Sequence, residues 1–484
     1  MRALYFVIAA LIAMSSSCDT SKKKVACTPN ADCTSKLQDV DYSDPEKPFY
    51  KGEIVLTLPN NSPTLRGNDV TIEFVKGLMS DIEKTLVKDG TIDKNQPLGS
   101  SIKRCLCDEN IFLIGIDPTL GAETNVTNAG NSRPGLGDEG GGFSPNYVIE
   151  NTNQEENIPK FTTNKVQPLP RSSPNTSTIP LVAILDSGID LSVFKESPLA
   201  AGLYGKASSP DVCNITDDTS GYNFTVDPPN NSITDNHGHG TAVTLAYKYG
   251  LDKIDPSAWS QQRVLPIKVL DECGNGSVYS AACGIAYAKQ KGADVINMSF
   301  GINFNNRHLE YAVKQISRSA IVCSAGNDTM RLSRSNHFPS GYAYTYTSAT
   351  AGQNDPNENG LSNAFEVMAI NKNFLAAGPD QASYPLATYS NYRNSAFAEI
   401  GNDIGPIINQ AYASISTTRV DCLMQGTSFA APMLSATIVS KLFGTTLPTT
   451  ITKTQIQSDA YQHTVNSTPL GSIDYYTYFN KKAI

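Results

Sequence analysis

The sequence predicts a three-layer αβα domain with a mainly parallel central sheet, preceded by a small α+β unit. Three observations predict it. Short apolar runs rich in β-branched residues recur in the second half: "IPLVAIL" ending at Leu185, "VLPIKVL" (264–270), "ADVINMSF" (293–300) and "SAIVCSA" (319–325). Helical stretches such as "VYSAACGIAYAKQKG" and "NRHLEYAVKQIS" lie between them, and buried strands alternating with helices indicate a parallel sheet covered on both faces. From about Leu120 to Pro180 the composition shifts to Gly, Asn, Ser, Thr and Pro, which separates this region from what precedes it.

The chain opens with "MRALYFVIAALIAMSSSC", one arginine and an apolar run too short to span a bilayer. That layout is a secretory signal over residues 1–17. Small residues directly before Cys18 resemble a bacterial lipobox, with serine in place of the usual leucine three positions earlier. A lipid-anchored product and a plainly secreted one both remain open, so the protein is expected to be exported. Residues 18–48 read as a polar tether whose Lys22, Lys23 and Lys24 would face an anionic membrane if Cys18 is anchored.

Residues 49–117 read as a β-α-β-β unit. "GEIVLTL" alternates as a strand, and Val75, Leu78, Met79, Ile82 and Leu86 recur on one helical face. "IKRCLCDENIFLIGI" reads as two strands around a turn at Asp108–Asn110. Residues 118–178 are expected to be a Gly/Asn/Pro-rich linker, and 179–484 the αβα domain.

Apolar residues make up 40% of the 484 and charged residues 17%, as in a globular protein, and the net charge of −8 argues against a nucleic-acid partner. There are ten cysteines, at least one of them unpaired if Cys18 is lipidated. Cys283 and Cys323 lie in apolar runs and are expected as free core thiols; no pairing is legible from the spacing. No CxxC pairs occur at zinc spacing.

In parallel αβα folds the ligand site lies beyond the carboxyl ends of the strands. "DSGID" puts Asp186 there, "DNHGHGT" carries His237 and His239, and "SAGND" carries Asn327. Each residue alone reads equally as a turn residue. His237 and His239 do not make a closed zinc site, which needs about four ligands. In "QGTSFAAPML" (425–434), Ser428 is either a helix cap or a nucleophile at a helix N-terminus. Pro432 is expected in the first turn, where its missing N–H has no partner to lose.

"VAILDSGID", "HGT" before a small-residue helix, "SAGN" and "GTSFAAP", in that order, resemble the signature segments of the subtilisin-like serine peptidases. "PIKVLDECGNGSV…GIAYAKQKGADVINMSFG", "ATYSNY" and "TKTQIQSDAYQHTV", the last expected as a late helix, extend the resemblance over about residues 177–484. It implies a subtilisin-like domain hydrolysing protein or peptide substrates. Asp186, His239 and Ser428 would form the triad, with Asn327 in the oxyanion hole. Gly274, Asn275 and Gly276, and Ser299, Phe300 and Gly301, would be two edges flanking an extended substrate, with Phe300 at a specificity pocket or in the core. The order Asp, His, Ser excludes the α/β-hydrolases, which run Ser, Asp/Glu, His. A non-catalytic binding protein on the same scaffold is the alternative.

Two positions depart from the family. Ala242 replaces a second histidine, and Lys195 replaces a calcium-binding carboxylate, so no cofactor is required and calcium elsewhere stays open. About fifty residues separate Asp186 from His239, implying an inserted surface loop around "SSPDVCNITDDTSGYNFTVDPPNN". The 49–117 unit stands where the family carries an inhibitory pro-domain, but that pattern's second helix and final strand are not traced. It is either the chain's own inhibitor or a permanent accessory module. A membrane would be engaged only through Cys18, and a cut in the linker would free the peptidase from it.

Overall fold

The computed structural model describes residues 38–58, 72–95, 97–99, 101–133, 136, 141–151, 179–194, 199–204, 213, 215, 220–226, 228–332, 336–343, 361–371, 385–393, 396–401, 425–443, 451–458, 460–468 and 471–477. The expected signal peptide, Cys18, Lys195 and residues 152–178 lie outside them.

The N-terminal unit contains β1 (Val40–Asp41), β2 (Phe49–Thr57), α1 (Ile72–Lys88), β3 (Ser101–Arg104), β4 (Ile111–Gly115), α2 (Glu123–Asn131) and β5 (Gly142–Asn151). β2 lies between β4 and β5, antiparallel to both. β3 and β4 form the expected hairpin. The buried face of α1 is the one read from the periodicity, Val75, Leu78, Met79, Ile82 and Leu86. It packs with Ile54, Leu56, Ile114 and Phe143 in a separate core.

The expected linker over 118–178 needs correcting, because α2 and β5 occupy part of it. They are the second helix and last strand missing from the sequence reading. "ETNVTNAGN" is made largely of poor helix formers, and Pro145 lies inside β5, a residue that argues against a central strand. Both elements are held by partners distant in sequence.

The αβα domain runs β6 (Leu181–Asp186), β7 (Tyr222–Asn223), α3 (His239–Ile254), β8 (Arg263–Lys268), β9 (Asn275–Ser277), α4 (Val278–Gln290), β10 (Val295–Met298) and β11 (Phe300–Gly301). It continues with α5 (Arg307–Lys314), β12 (Ala320–Ser324), β13 (Ala364–Ile370), β14 (Ala396–Ile400), α6 (Thr427–Leu442), α7 (Lys453–Gln457), β15 (Tyr461–Thr468) and β16 (Gly471–Thr477). The sheet order is β15-β16-β14-β13-β12-β10-β6-β8-β7. All neighbours are parallel except β15 against β16. The late helix is shorter than expected: α7 stops at Gln457 and the rest of that stretch enters β15.

Side chains alternate along β6, as a strand requires. Val182 and Ile184 join the α3 and α6 residues on one face; Ala183 and Leu185 join those of α4 and α5 on the other. Three layers result. Chain order reverses at β6, with β8 on one side and β10 on the other. Such a switch point opens a crevice at the carboxyl ends, and Asp186 is the last residue of β6.

The N-terminal unit docks on the α4/α5 face, where Val55, Ile111 and Ile149 share a cluster with Tyr311 and Ala312. All three are fully buried, and each burial stabilises by about 2 kcal/mol as an upper bound. Disulfides Cys105–Cys283 and Cys107–Cys213 cross the junction. Cys283 is therefore not the free thiol expected, because the hairpin brings Cys105 against it, whereas Cys323 is free and buried.

Thr57 Oγ1 and His308 Nδ1 meet at 2.7 Å across the same junction. Burial, with a smaller contribution from Arg307, pushes His308 down to about 3. The unfolded chain takes up this proton near pH ~6.5 while the folded one does not, so stability present above that pH is lost as it falls towards 3. His308→Asn is expected to be less stable than wild type at about pH 7.5, the deficit shrinking by up to about 1.4 kcal/mol per pH unit below pH ~6.5. Guanidinium midpoints for both proteins, at neutral and acid pH, check this.

Candidate active site

His239 is the first residue of α3, after Gly238 in a left-handed turn at φ 95°. Gly240 has to lack a side chain, since a Cβ there would lie 2.1 Å from the Gly188 carbonyl oxygen. The helix start is thereby pressed onto the loop that follows β6. His239 Nδ1 reaches Asp186 Oδ1 at 2.7 Å, with both residues fully buried. A carboxylate accepts, so Nδ1 carries a proton, which in the neutral ring leaves the lone pair on Nε2. Nε2 is buried with no hydrogen-bond partner among the described residues.

Asp235, which the sequence reading did not single out, holds this loop and helix together. Its Oδ1 accepts from Ser187 Oγ at 2.8 Å and Gly238 N at 2.7 Å. Its Oδ2 accepts from Thr241 N and Oγ1 at 2.7 and 2.6 Å. A signal was available: an aspartate four residues before His239, with Thr241 two residues after it. His237 is held below its ordinary value by burial and by His239, against the pull of nearby carboxylates. Among the described residues no three His, Cys, Asp or Glu side chains gather as metal ligands would.

Ser428 is the second residue of α6, where N–H groups have no intrahelical acceptor. Pro432 does not lie in the first turn as expected. It is inside the helix, four residues after Ser428, and so has no N–H to give the Ser428 carbonyl. Ser299 Oγ supplies that bond instead, at 2.8 Å, and receives one from Asn297 Nδ2 at 3.0 Å. Ser428 Oγ points back to the Ser299 carbonyl at 3.4 Å. The next residue, Phe429, places its ring 5.5 Å from that of His239, centroid to centroid.

Asn327 is braced from two sides. Its Oδ1 accepts from Thr427 N at 3.0 Å and Thr427 Oγ1 at 3.1 Å, which fixes the plane of the amide against the start of α6. Asn391, in "ATYSNY", accepts from Asp328 N and Met330 N and donates to the Ala325 carbonyl. The loop carrying Asn327 is thus fastened at both ends.

The two expected edges face each other across a strand, and the strand is β5. Val148, Ile149 and Glu150 pair antiparallel with Ser277, Gly276 and Asn275. Glu150 and Asn151 pair with Gly301 and Phe300. Gly274 turns the chain into its edge at φ 77°. Gly276 leaves no room for a side chain, with the Val269 carbonyl 2.1 Å from an added Cβ and Ile149 beyond it at 3.2 Å. Phe300 is fully buried within the α4/α5 cluster.

Fold and site define a three-layer αβα protein with a buried Asp–His pair at the switch point of its sheet and a serine-bearing helix start beside it. The chain belongs to the subtilase family, whose Peptidase_S8 model matches residues 178–466, more than half of it. Subtilisin Savinase of Lederbergia lenta is 30% identical over 224 residues, 45% of this chain and 71% of that protein. Thermitase of Thermoactinomyces vulgaris is 28% identical over 229 residues, 45% of this chain and 70% of that protein. The cell wall-associated protease of Bacillus subtilis (strain 168) is 27% identical over 264 residues, 53% of this chain but 23% of that protein.

Asp235→Ala is expected to lower the unfolding free energy by about 3–5 kcal/mol, since buried donors lose a charged acceptor. Denaturant unfolding against wild type measures it, and a loss below about 1 kcal/mol would show that water replaces the carboxylate.

Proposed function

We propose that the protein is an exported serine endopeptidase made with its own N-terminal unit inhibiting it. One observation carries the reading: β5 is paired on both sides by the two strand edges expected to flank a substrate. A cleft that grips its own chain as an extended strand is built to grip an extended peptide. Ser299, the residue before β11, donates to Ser428, so the nucleophile stands at the end of that groove.

In the proposed reaction His239 Nε2 takes the Ser428 hydroxyl proton while Oγ attacks the peptide carbonyl. Asp186 keeps the second imidazole proton at Nδ1 and stabilises the imidazolium. Asn327 Nδ2 and the Ser428 N–H receive the oxyanion. His239 then hands its proton to the departing amine, and water repeats the sequence to release the acyl group. The substrate is a protein or peptide with an extended segment; the Ile149 position favours an apolar side chain there. No cofactor enters this reading. The signal-like start and Cys18 support export, with lipid attachment at that cysteine as the membrane-bound form.

β5 blocks substrate from reaching Ser428 until it leaves. Ser428→Ala is expected to abolish both peptide hydrolysis and fluorophosphonate labelling. Asn327→Ala is expected to lower kcat about 10²–10³-fold, the cost of removing such a donor from a subtilisin. Glu150→Pro removes an N–H from the middle of the β5 pairing and is expected to raise the activity of the uncut chain about tenfold or more. If wild type, freed of its N-terminal unit, labels no faster than Ser428→Ala, the peptidase reading is wrong.

A further inference from the structure

We propose that the N-terminal unit is an inhibitor retained by disulfides, so that cutting the chain within residues 152–178 leaves it in place. Reduction of Cys105–Cys283 and Cys107–Cys213 by a dithiol is then the releasing step. The inference rests on the peptidase reading and on β5 as the inhibitory strand. Both bridges start from the segment joining β3 to β4 and end in the αβα domain, Cys283 within α4 and Cys213 between Asp186 and His239. No cut within 152–178 opens either one. After such a cut the two pieces are still one covalent molecule.

That geometry controls whether the cleft empties. The segment carrying Cys105 and Cys107 connects to β5 through β4 and β2 in a single sheet, so pinning it keeps β5 at the mouth of the cleft. A tethered segment rebinds at an effective concentration of about millimolar order. A strand of ~1 μM affinity would then remain seated about a thousand to one, whereas a freely diffusing fragment would be diluted away. Burial of Ile149 and the Thr57–His308 contact add to the hold.

The bridges also share an approach. Both line one cleft of about 450 Å³ at the junction of the two units. Arg104, Leu106, Glu109 and Lys289 on its walls are exposed, Cys213 is half-buried and the other three cysteines are buried. Exchange begins with a thiolate attacking one sulfur through a mixed disulfide. Each bridge takes two electrons and two protons from the dithiol, which leaves as a disulfide; Cys105, Cys107, Cys213 and Cys283 end as thiols. Only then does no bond of these two hold a cut N-terminal piece. A cut alone therefore does not free the peptidase from a membrane anchored through Cys18, contrary to the expectation from sequence.

The test cuts the folded, oxidised full chain with a trace of trypsin, for which Lys160, Lys165 and Arg171 offer sites, and then inactivates the trypsin. Peptide hydrolysis and fluorophosphonate labelling of Ser428 are read with and without dithiothreitol. Cys105→Ala/Cys107→Ala, which alters no residue of the αβα domain, is cut in parallel without reductant, alone and with Cys273→Ala added, because Cys273 is disulfide-bonded as well. The expected result is one species on non-reducing gels and two on reducing gels. Dithiothreitol should raise the activity of the cut wild type at least tenfold, and the cut double variant should match that level unreduced. Equal activity of cut wild type with and without dithiothreitol overturns retention by disulfides. Full activity of the uncut oxidised chain overturns the inhibitor reading, and this inference with it. No labelling in any arm, the cut double variant included, overturns the peptidase reading itself.

Discussion

The contact between His239 Nδ1 and Asp186 Oδ1 organises the carboxyl edge of the sheet. It joins the end of the central strand to the start of α3 at 2.7 Å, in full burial, and buried polar contacts of this kind hold only if their surroundings do. Hence Gly240 gives way to Gly188, Asp235 ties the loop to the helix, and Lys268 donates to the Ser187 carbonyl from the neighbouring strand end. Removing any of these loosens the orientation of one imidazole. The cost of burying so many polar groups is offset by hydrogen bonds between them and not by charge pairing alone.

β5 belongs to two structures at once. Its first half continues the sheet of the N-terminal unit through β2, and its second half joins β9 and β11 of the αβα domain. Residues that secure one unit therefore bear on the cleft of the other. Two disulfides on the same junction make that dependence covalent. A subtilase domain with its N-terminal unit fastened in this way differs from one whose unit merely docks.

Much of the site was legible because its backbone tolerates few residues. Gly240 before the Gly188 carbonyl, and a helix start beginning Thr427-Ser428, leave short and ordered traces in sequence. The four apolar runs proved to be β6, β8, β10 and β12, since strands buried on both faces carry continuous apolar residues. What stayed hidden depends on partners far along the chain. β5 contains Pro145 and little alternation, and its pairing comes from β2, β9 and β11. Cys283 looks like a core thiol until the hairpin brings Cys105 to it. Pro432 sits a turn later than local propensity suggests because Ser299, over a hundred residues away, satisfies the carbonyl it leaves.

The most direct test of this account is the protonation of His239 itself. Nitrogen-15 NMR of histidine-labelled protein, recorded where the His239 ring is neutral and assigned against His239→Gln, reports which ring nitrogen carries the proton. The account predicts a proton on Nδ1 that exchanges slowly with water, an unprotonated Nε2, and loss of that protection in Asp186→Asn. A proton on Nε2, or an Nδ1 proton exchanging as freely as in an exposed histidine, would contradict it, because the base assigned to Ser428 would then not exist in the folded protein.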